Sequence, residues 1–217
     1  MDLIKYGHSC VRVVDGDRRL VIDPGVFTDV PQALVDVDAV LITHEHPDHV
    51  DAARLAAAAG ANPALRVWAP KSVADQLAGN EVLSDRVTAV GPGQSFVAGG
   101  LQVRSYGGQH ALIHSSIPVV ANVGYLVGDA VYHPGDSYVV PPAVVEALLI
   151  PVHAPWAKLA EAIDFTVAVR AARAFQIHDG LLNDAGRNLY ESQLDRVGQF
   201  YGTTRFQHLD AGEQVTL

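Results

Sequence analysis

The residues of this chain best equipped for chemistry form one short run: Thr43, His44, Glu45, His46, Pro47, Asp48, His49, or H-x-H-x-D-H. On an extended or turning backbone, residues two apart project the same way. His44 and His46 can therefore reach one cation while Asp48 and His49 reach past it toward a second. Imidazole and carboxylate groups without thiolate suit zinc, and also iron, manganese or nickel. A solvated polar loop with chance histidines is the bland alternative. Four ligand-type residues in register directly behind an apolar segment make it the weaker one.

The flanking sequence explains how such a loop could be held. Ala39 to Ile42 is an apolar run of buried-strand length, and the polar groups begin as it ends. Asp51 then reads as an N-cap before Ala52, Ala53, Arg54, Leu55 and four further alanines, with Gly60 as a C-terminal stop. A turn between two rigid elements can hold ligands to geometry. Further strand-like segments are expected at 3–6, 10–14, 20–23, 65–69, 86–90, 101–105, 122–127, 130–133, 147–151, 173–178, 204–208 and 214–217. Helices are expected at 52–59, 72–78, 143–148, 156–172 and 189–201. Asp15-Gly16 and Gly128-Asp129 read as hairpin turns. Pattern alone gives α/β or α+β, with mixed sheets flanked by helices.

Three more segments complete a resemblance. His110 follows Gly107, Gly108 and Gln109; Asp136 sits in His133-Pro134-Gly135-Asp136-Ser137; His178 sits in Ala174-Phe175-Gln176-Ile177-His178-Asp179-Gly180. With the H-x-H-x-D-H run, the opening Tyr6-Gly7-His8-Ser9 and the segment Leu20 to Pro24, the sequence resembles the metallo-β-lactamase superfamily from Leu3 to Leu217. It is most similar to the small branch containing ascorbate-6-phosphate lactonase and metal-dependent hydrolases.

The resemblance implies one domain over residues 1–217, folded as a four-layer αββα sandwich with metals at the edge between the sheets. It assigns His44, His46 and His110 to a first divalent ion, Asp48, His49 and His178 to a second, and Asp136 to a bridge. Zinc is expected, because this chain has His46 where diiron members resemble one another in carrying glutamate. The implied chemistry is hydrolysis by a metal-bridging hydroxide, with Asp48 and Asp136 as the catalytic carboxylates and Asp48 accepting the water proton. Two divalent ions, two carboxylates and one hydroxide sum to about +1, which favours an anionic or strongly polarised substrate group. Asp23 would orient a metal-binding histidine from behind, and His8, His114 and His153 are candidate substrate contacts. His133 and His208 read as structural; Tyr125, Tyr138 and Trp156 could line the pocket, with core packing the default for aromatics.

Composition sets the surroundings. The 217 residues, 49% of them hydrophobic, suffice for one well-buried core. A formal charge of −9 and the lack of any lysine or arginine run oppose a nucleic-acid backbone. Cys10 is the only cysteine, which suits a reducing compartment, and no apolar stretch approaches a membrane span. A cytoplasmic protein is expected, with homo-oligomers allowed by its valine and alanine faces. The favoured function is a hydrolase for a small anionic metabolite such as a lactone or phosphate ester. A phosphodiesterase or nuclease, and a scaffold in which metals only staple the fold, are the alternatives.

Overall fold

The computed structural model describes residues 1–217. A first sheet contains β1 (Asp2–Gly7), β2 (Cys10–Asp15), β3 (Arg18–Ile22), β4 (Ala39–Leu41), β5 (Arg66–Ala69), β6 (Val87–Ala89) and β14 (Gln214–Thr216), in the order β14-β1-β2-β3-β4-β5-β6. A second contains β7 (Ser95–Ala98), β8 (Leu101–Gly107), β9 (Val123–Val127), β10 (Val131–His133), β11 (Ala147–Pro151), β12 (Arg173–Ile177) and β13 (Arg205–Phe206), in the order β13-β12-β11-β10-β9-β8-β7. Each sheet is antiparallel in one half and parallel in the other. Helices α1 (Val30–Ala33), α2 (Ala52–Ala61) and α3 (Lys71–Ala78) cover the first sheet, and α4 (Leu159–Val169) and α5 (Asp184–Tyr201) the second.

Alternation along the strands builds the four layers. Side chains on successive strand residues point to opposite faces. Leu20, Ile22, Ala39 and Leu41 thus enter the core between the sheets, while Val21, Val40 and Ile42 pack under α1, α2 and α3. Ala147 and Leu149 likewise join the central core, whereas Leu148 and Ile150 meet α4 and α5. Both expected hairpin turns form: Gly16 links β2 to β3, and Gly128 and Asp129, both at positive φ, link β9 to β10. No helix is long and apolar enough to cross a membrane.

Local expectations fail where tertiary pairing intervenes. The helix expected at 143–148 does not form. The amides of Glu146 and Ala147 both bond to the Ala130 carbonyl, which draws the chain into β11 before a helical turn can close. The helix expected at 156–172 is shorter, because Arg170 adopts a left-handed C-cap. Helix α5 instead starts earlier, at an Asn183 cap that accepts from Gly186. Strand β7 and the single-turn α1 were not foreseen from pattern.

One buried ion pair ties the sheets together near the ends of β1 and β12. Lys5, 3% exposed, reaches Asp179 at 2.5 Å. Burial pulls the Lys5 pKa down, and Asp179 works against that pull. Removing one partner would strand a buried charge, at a cost of about 3–5 kcal/mol. Lys5→Met should therefore shift the urea midpoint strongly downward, and Lys5→Met/Asp179→Leu should recover most of the loss. Additive single effects would show that the pair is not coupled.

Candidate metal centre

Chain direction delivers the site. Strands β1, β3, β4, β8, β10 and β12 all end at one edge of the sandwich, and within a few residues of those ends come His8, Asp23, His44 to His49, His110, Asp136 and His178. Polar bonds pin the two sheets together there: the Val123 amide donates to the Thr43 carbonyl at 2.9 Å, and the His178 amide to the His8 carbonyl at 3.1 Å. His8, Asp23 and His178 hold positive φ of 46°, 52° and 58°, a conformation that costs energy for residues with a Cβ. Such strain gathers at functional positions.

The structure brings all seven expected ligands together. His44, His46, His110 and Asp136 have donor atoms within 4.8 Å of one another, as do His8, Asp48, His49 and His178. Asp136 lies between the groups. Its Oδ1 is 3.1 Å from His49 Nε2, and its Oδ2 is 3.2 Å from His178 Nε2 and 3.3 Å from His110 Nε2.

Protein atoms decide which nitrogen each ring presents. His49 Nδ1 donates to Asp23 at 2.7 Å, His110 Nδ1 to the Ala111 carbonyl at 2.6 Å, and His178 Nδ1 to the His153 carbonyl at 2.6 Å. His44 Nδ1 lies 3.0 Å from Thr43 Oγ1, whose hydroxyl donates to Asp23 at 2.7 Å. Each of these four rings is left with Nε2 facing inward, while His46 turns its Nδ1 to within 3.0 Å of His44 Nε2. Locking one nitrogen to orient the other is how proteins aim metal ligands.

Four atoms test whether cations fit. His49 Nε2, His110 Nε2, His178 Nε2 and Asp136 Oδ1 are buried and have no hydrogen-bond partner. Buried polar atoms are seldom left unpaired, since each orphan costs about 1–3 kcal/mol. Here the orphans face one another, as lone pairs converging on shared cations would. Imidazole and carboxylate donors complete a fit to divalent ions.

Electrostatics agree. Burial would push the Asp136 carboxyl up, but His49 and the neighbouring histidines hold it well below the usual carboxylate range. Burial opposes protonation of His178, yet Asp136 and Asp48 raise its pKa to about 9. Burial, with His49 adjacent, keeps His44 well below the ordinary imidazole value.

The remaining candidates fall into different places. Asp23 is fully buried and stands behind His49 and Thr43, as expected of an orienting carboxylate. His8 is close enough to join the second group, but both its nitrogens are engaged. Its Nδ1 accepts from the Gly180 amide at 3.1 Å, which puts the ring proton on Nε2, 3.1 Å from Asp48 Oδ2. His8 thus bears on Asp48 and has no lone pair left for a cation. His114 is exposed and bonds Ser116, and the His153 ring packs edge-on to Tyr190 at 5.8 Å. His133 is a core residue bonded to the Ser9 carbonyl, and His208 is held between Glu191 and Asp210.

Trp156, whose default reading is core packing with pocket lining as the alternative, lies against the site: its Nε1 donates to Asp136 Oδ2 at 2.9 Å. An indole after a strand end has no signature for such a bond. Tyr125, by contrast, lies in the core and donates to the Ile42 carbonyl. Two glycines let the backbone close up. A methyl on Gly25 would overlap the Asp48 carbonyl, and one on Gly135, at φ +63°, would overlap Asn122 Oδ1. A larger cavity of about 720 Å³ between α1 and α2 includes none of these ligands.

Two outcomes follow for metal binding. Asp23→Ala should weaken metal affinity by about 10- to 100-fold with the fold retained, as loss of an orienting partner does; unchanged affinity by chelator competition would remove Asp23 from the site. Because the protons that neighbouring carboxylates hold on His49 and His178 must leave before a cation binds, apparent affinity should rise with pH from neutral to at least about 9. Competition measured at successive pH values reads that slope directly.

Known proteins are similar to this chain in sequence and fold. The family model described as Beta-lactamase superfamily domain covers residues 2–178. A protein of Mycobacterium tuberculosis is 39% identical over 221 residues, covering 100% of both chains. A metal-dependent hydrolase of Aeropyrum pernix is 31% identical over 153 residues, which span 62% of this chain and 61% of that one. The solved structure of a metallo hydrolase from Ignicoccus hospitalis has the same fold, with a TM-score of 0.75 at 18% identity and coverage of 100% of this chain and 97% of that one. The sheets, the converging ligands and these relatives lead to one conclusion: the chain belongs to the metallo-β-lactamase superfamily, in its branch of small metal-dependent hydrolases.

Proposed function

We propose that the chain is a binuclear zinc hydrolase acting on a small, polarised metabolite such as a lactone or phosphate ester. The observation that carries this reading is the set of buried, unpartnered Nε2 and Oδ1 atoms on His49, His110, His178 and Asp136. His44, His46 and His110 would hold one ion and Asp48, His49 and His178 the other, with Asp136, which lies between the two groups, available to both. Two divalent ions bound there would lower the pKa of a shared water toward about 7 and polarise the bond under attack.

The chain's own groups do the rest. Asp48 is the most open of the carboxylates, with its side chain 22% exposed, and is the acceptor for the water proton. The His8 N–H fixes one of its oxygens and leaves the other free. The Trp156 N–H similarly holds Asp136, so that both carboxylates are steadied by hydrogen-bond donors of the chain itself. Cys10 is poorly suited to act as a competing nucleophile. Burial and the nearby Asp23 push the Cys10 thiol far above neutral pH, and its thiolate is the form that attacks.

Protein purified without added metal should contain two equivalents of zinc by elemental analysis and hydrolyse one class in a panel of lactones, thioesters and phosphodiesters. Asp136→Ala and His44→Ala should lose metal and turnover together, while Ser9→Ala and Cys10→Ala keep both. Full metal content and activity in Asp136→Ala would refute the assignment. Turnover confined to phosphodiesters would place the protein among nucleotide-processing enzymes instead, and iron in place of zinc would point to redox chemistry.

A further inference from the structure

A second cavity, of about 450 Å³, adjoins the metal centre and is walled by Ala111, Leu112, Ile113, Tyr138, Pro155 and Trp156. Its size lies within the range of small-molecule sites. It shares a wall with the ligands. Trp156 donates Nε1 to Asp136, its ring stands 5.9 Å from that of His110, and the Ala111 amide donates to the Asp136 carbonyl at 2.8 Å.

The polar handles of its aromatic walls are already used. The Tyr138 hydroxyl donates to the Pro151 carbonyl at 2.9 Å, and Trp156 has given its proton to Asp136, so both rings have only carbon to offer a ligand. At the rim, Lys158 and Glu161 stand 3.5 Å apart and cancel in charge. The connection between β8 and β9 also exposes Leu112 (61%), Ile117 (44%) and Val119 (47%), an apolar lip on the same loop that carries His110. Exposed apolar residues grouped beside a cavity are the kind of surface that marks a binding site.

Resting on the hydrolase reading, we propose that this cavity is the subsite for a neutral apolar arm of the substrate, an alkyl chain or aryl ring attached to the bond presented to the metals. A substrate that is polar at the reacting bond and apolar beside it matches both halves of the site. The arm makes Leu112 and Ile113 determinants of specificity rather than of rate. A highly phosphorylated or polyhydroxylated arm would leave its polar groups unpaired against these walls.

Binding can be read without turnover. In the metal-loaded Trp68→Phe protein, Trp156 is the only indole, and its emission reports titration with straight-chain primary alcohols from butanol to octanol. The Kd should fall about fourfold with each added methylene, the increment expected for apolar burial. Leu112→Asp, at an exposed position, should weaken octanol tenfold or more with metal content unchanged, and Ala157→Phe, at a small residue that also lines the cavity, should do so by filling the space. With hydrolysed esters or lactones, lengthening the arm should lower KM and leave kcat nearly constant. Affinity indifferent to chain length, or untouched by both substitutions, would overturn the subsite. Alcohol binding without hydrolysis of any panel member would keep the apolar preference and reject the hydrolase. Hydrolysis with no dependence on arm length would do the reverse.

Discussion

The site depends on a single buried carboxylate. Asp23 stands directly behind β3 in a left-handed conformation and accepts three hydrogen bonds, from the Thr43 amide, the Thr43 hydroxyl and His49 Nδ1. Through Thr43 it also bears on His44. One side chain outside the ligand set therefore orients a ring from each group of ligands and fastens the ligand loop to the neighbouring strand. A fully buried carboxylate is expensive unless its lone pairs are matched by donors. Here those donors are the site's own framework, so cost and geometry are resolved by the same contacts.

The same economy runs outward. Backbone carbonyls of Ala111 and His153 fix His110 and His178, and the Trp156 and His8 N–H groups steady Asp136 and Asp48. The donors sit on loops following strands of both sheets, and the strands are locked by alternating apolar side chains that fill the central core. Packing thus supplies the rigidity, and hydrogen bonds convert it into aim. The apolar cavity beside Trp156 extends that logic to the substrate, since one indole closes the metal site on one side and walls the cavity on the other.

Much of this was legible in the sequence because the chemistry of a ligand is carried by single residues and their local spacing. The H-x-H-x-D-H run, and the strands before His110, Asp136 and His178, appear where the pattern put them. Asp23 was also readable, since an aspartate after an apolar strand has few neighbours to serve. What escaped were features that exist only once distant segments meet. Residues 143–148 are helix-compatible in isolation, but β10 and β12 recruit 147 onward into a parallel sheet. Trp156 reaches a carboxylate 20 residues away, and His153 contributes its carbonyl rather than its ring. His8 looked like a residue facing substrate, and the Gly180 amide, far along the chain, is what commits its tautomer to Asp48.

The ligand loops have a further consequence for the fold as a whole. His44, His46, Asp48 and His49 follow a strand of the first sheet, whereas His110, Asp136 and His178 follow strands of the second. Any cation held by both sets is a cross-link between the two halves of the sandwich. A ligand that binds only the folded chain adds about 2.7 kcal/mol of stability at a hundredfold excess over its Kd. Two such ions would contribute an amount comparable to the whole stability of an ordinary domain, about 5–15 kcal/mol. The supply of metal would then govern the lifetime of the protein as well as its chemistry, with starvation for metal felt first as loosening between the sheets.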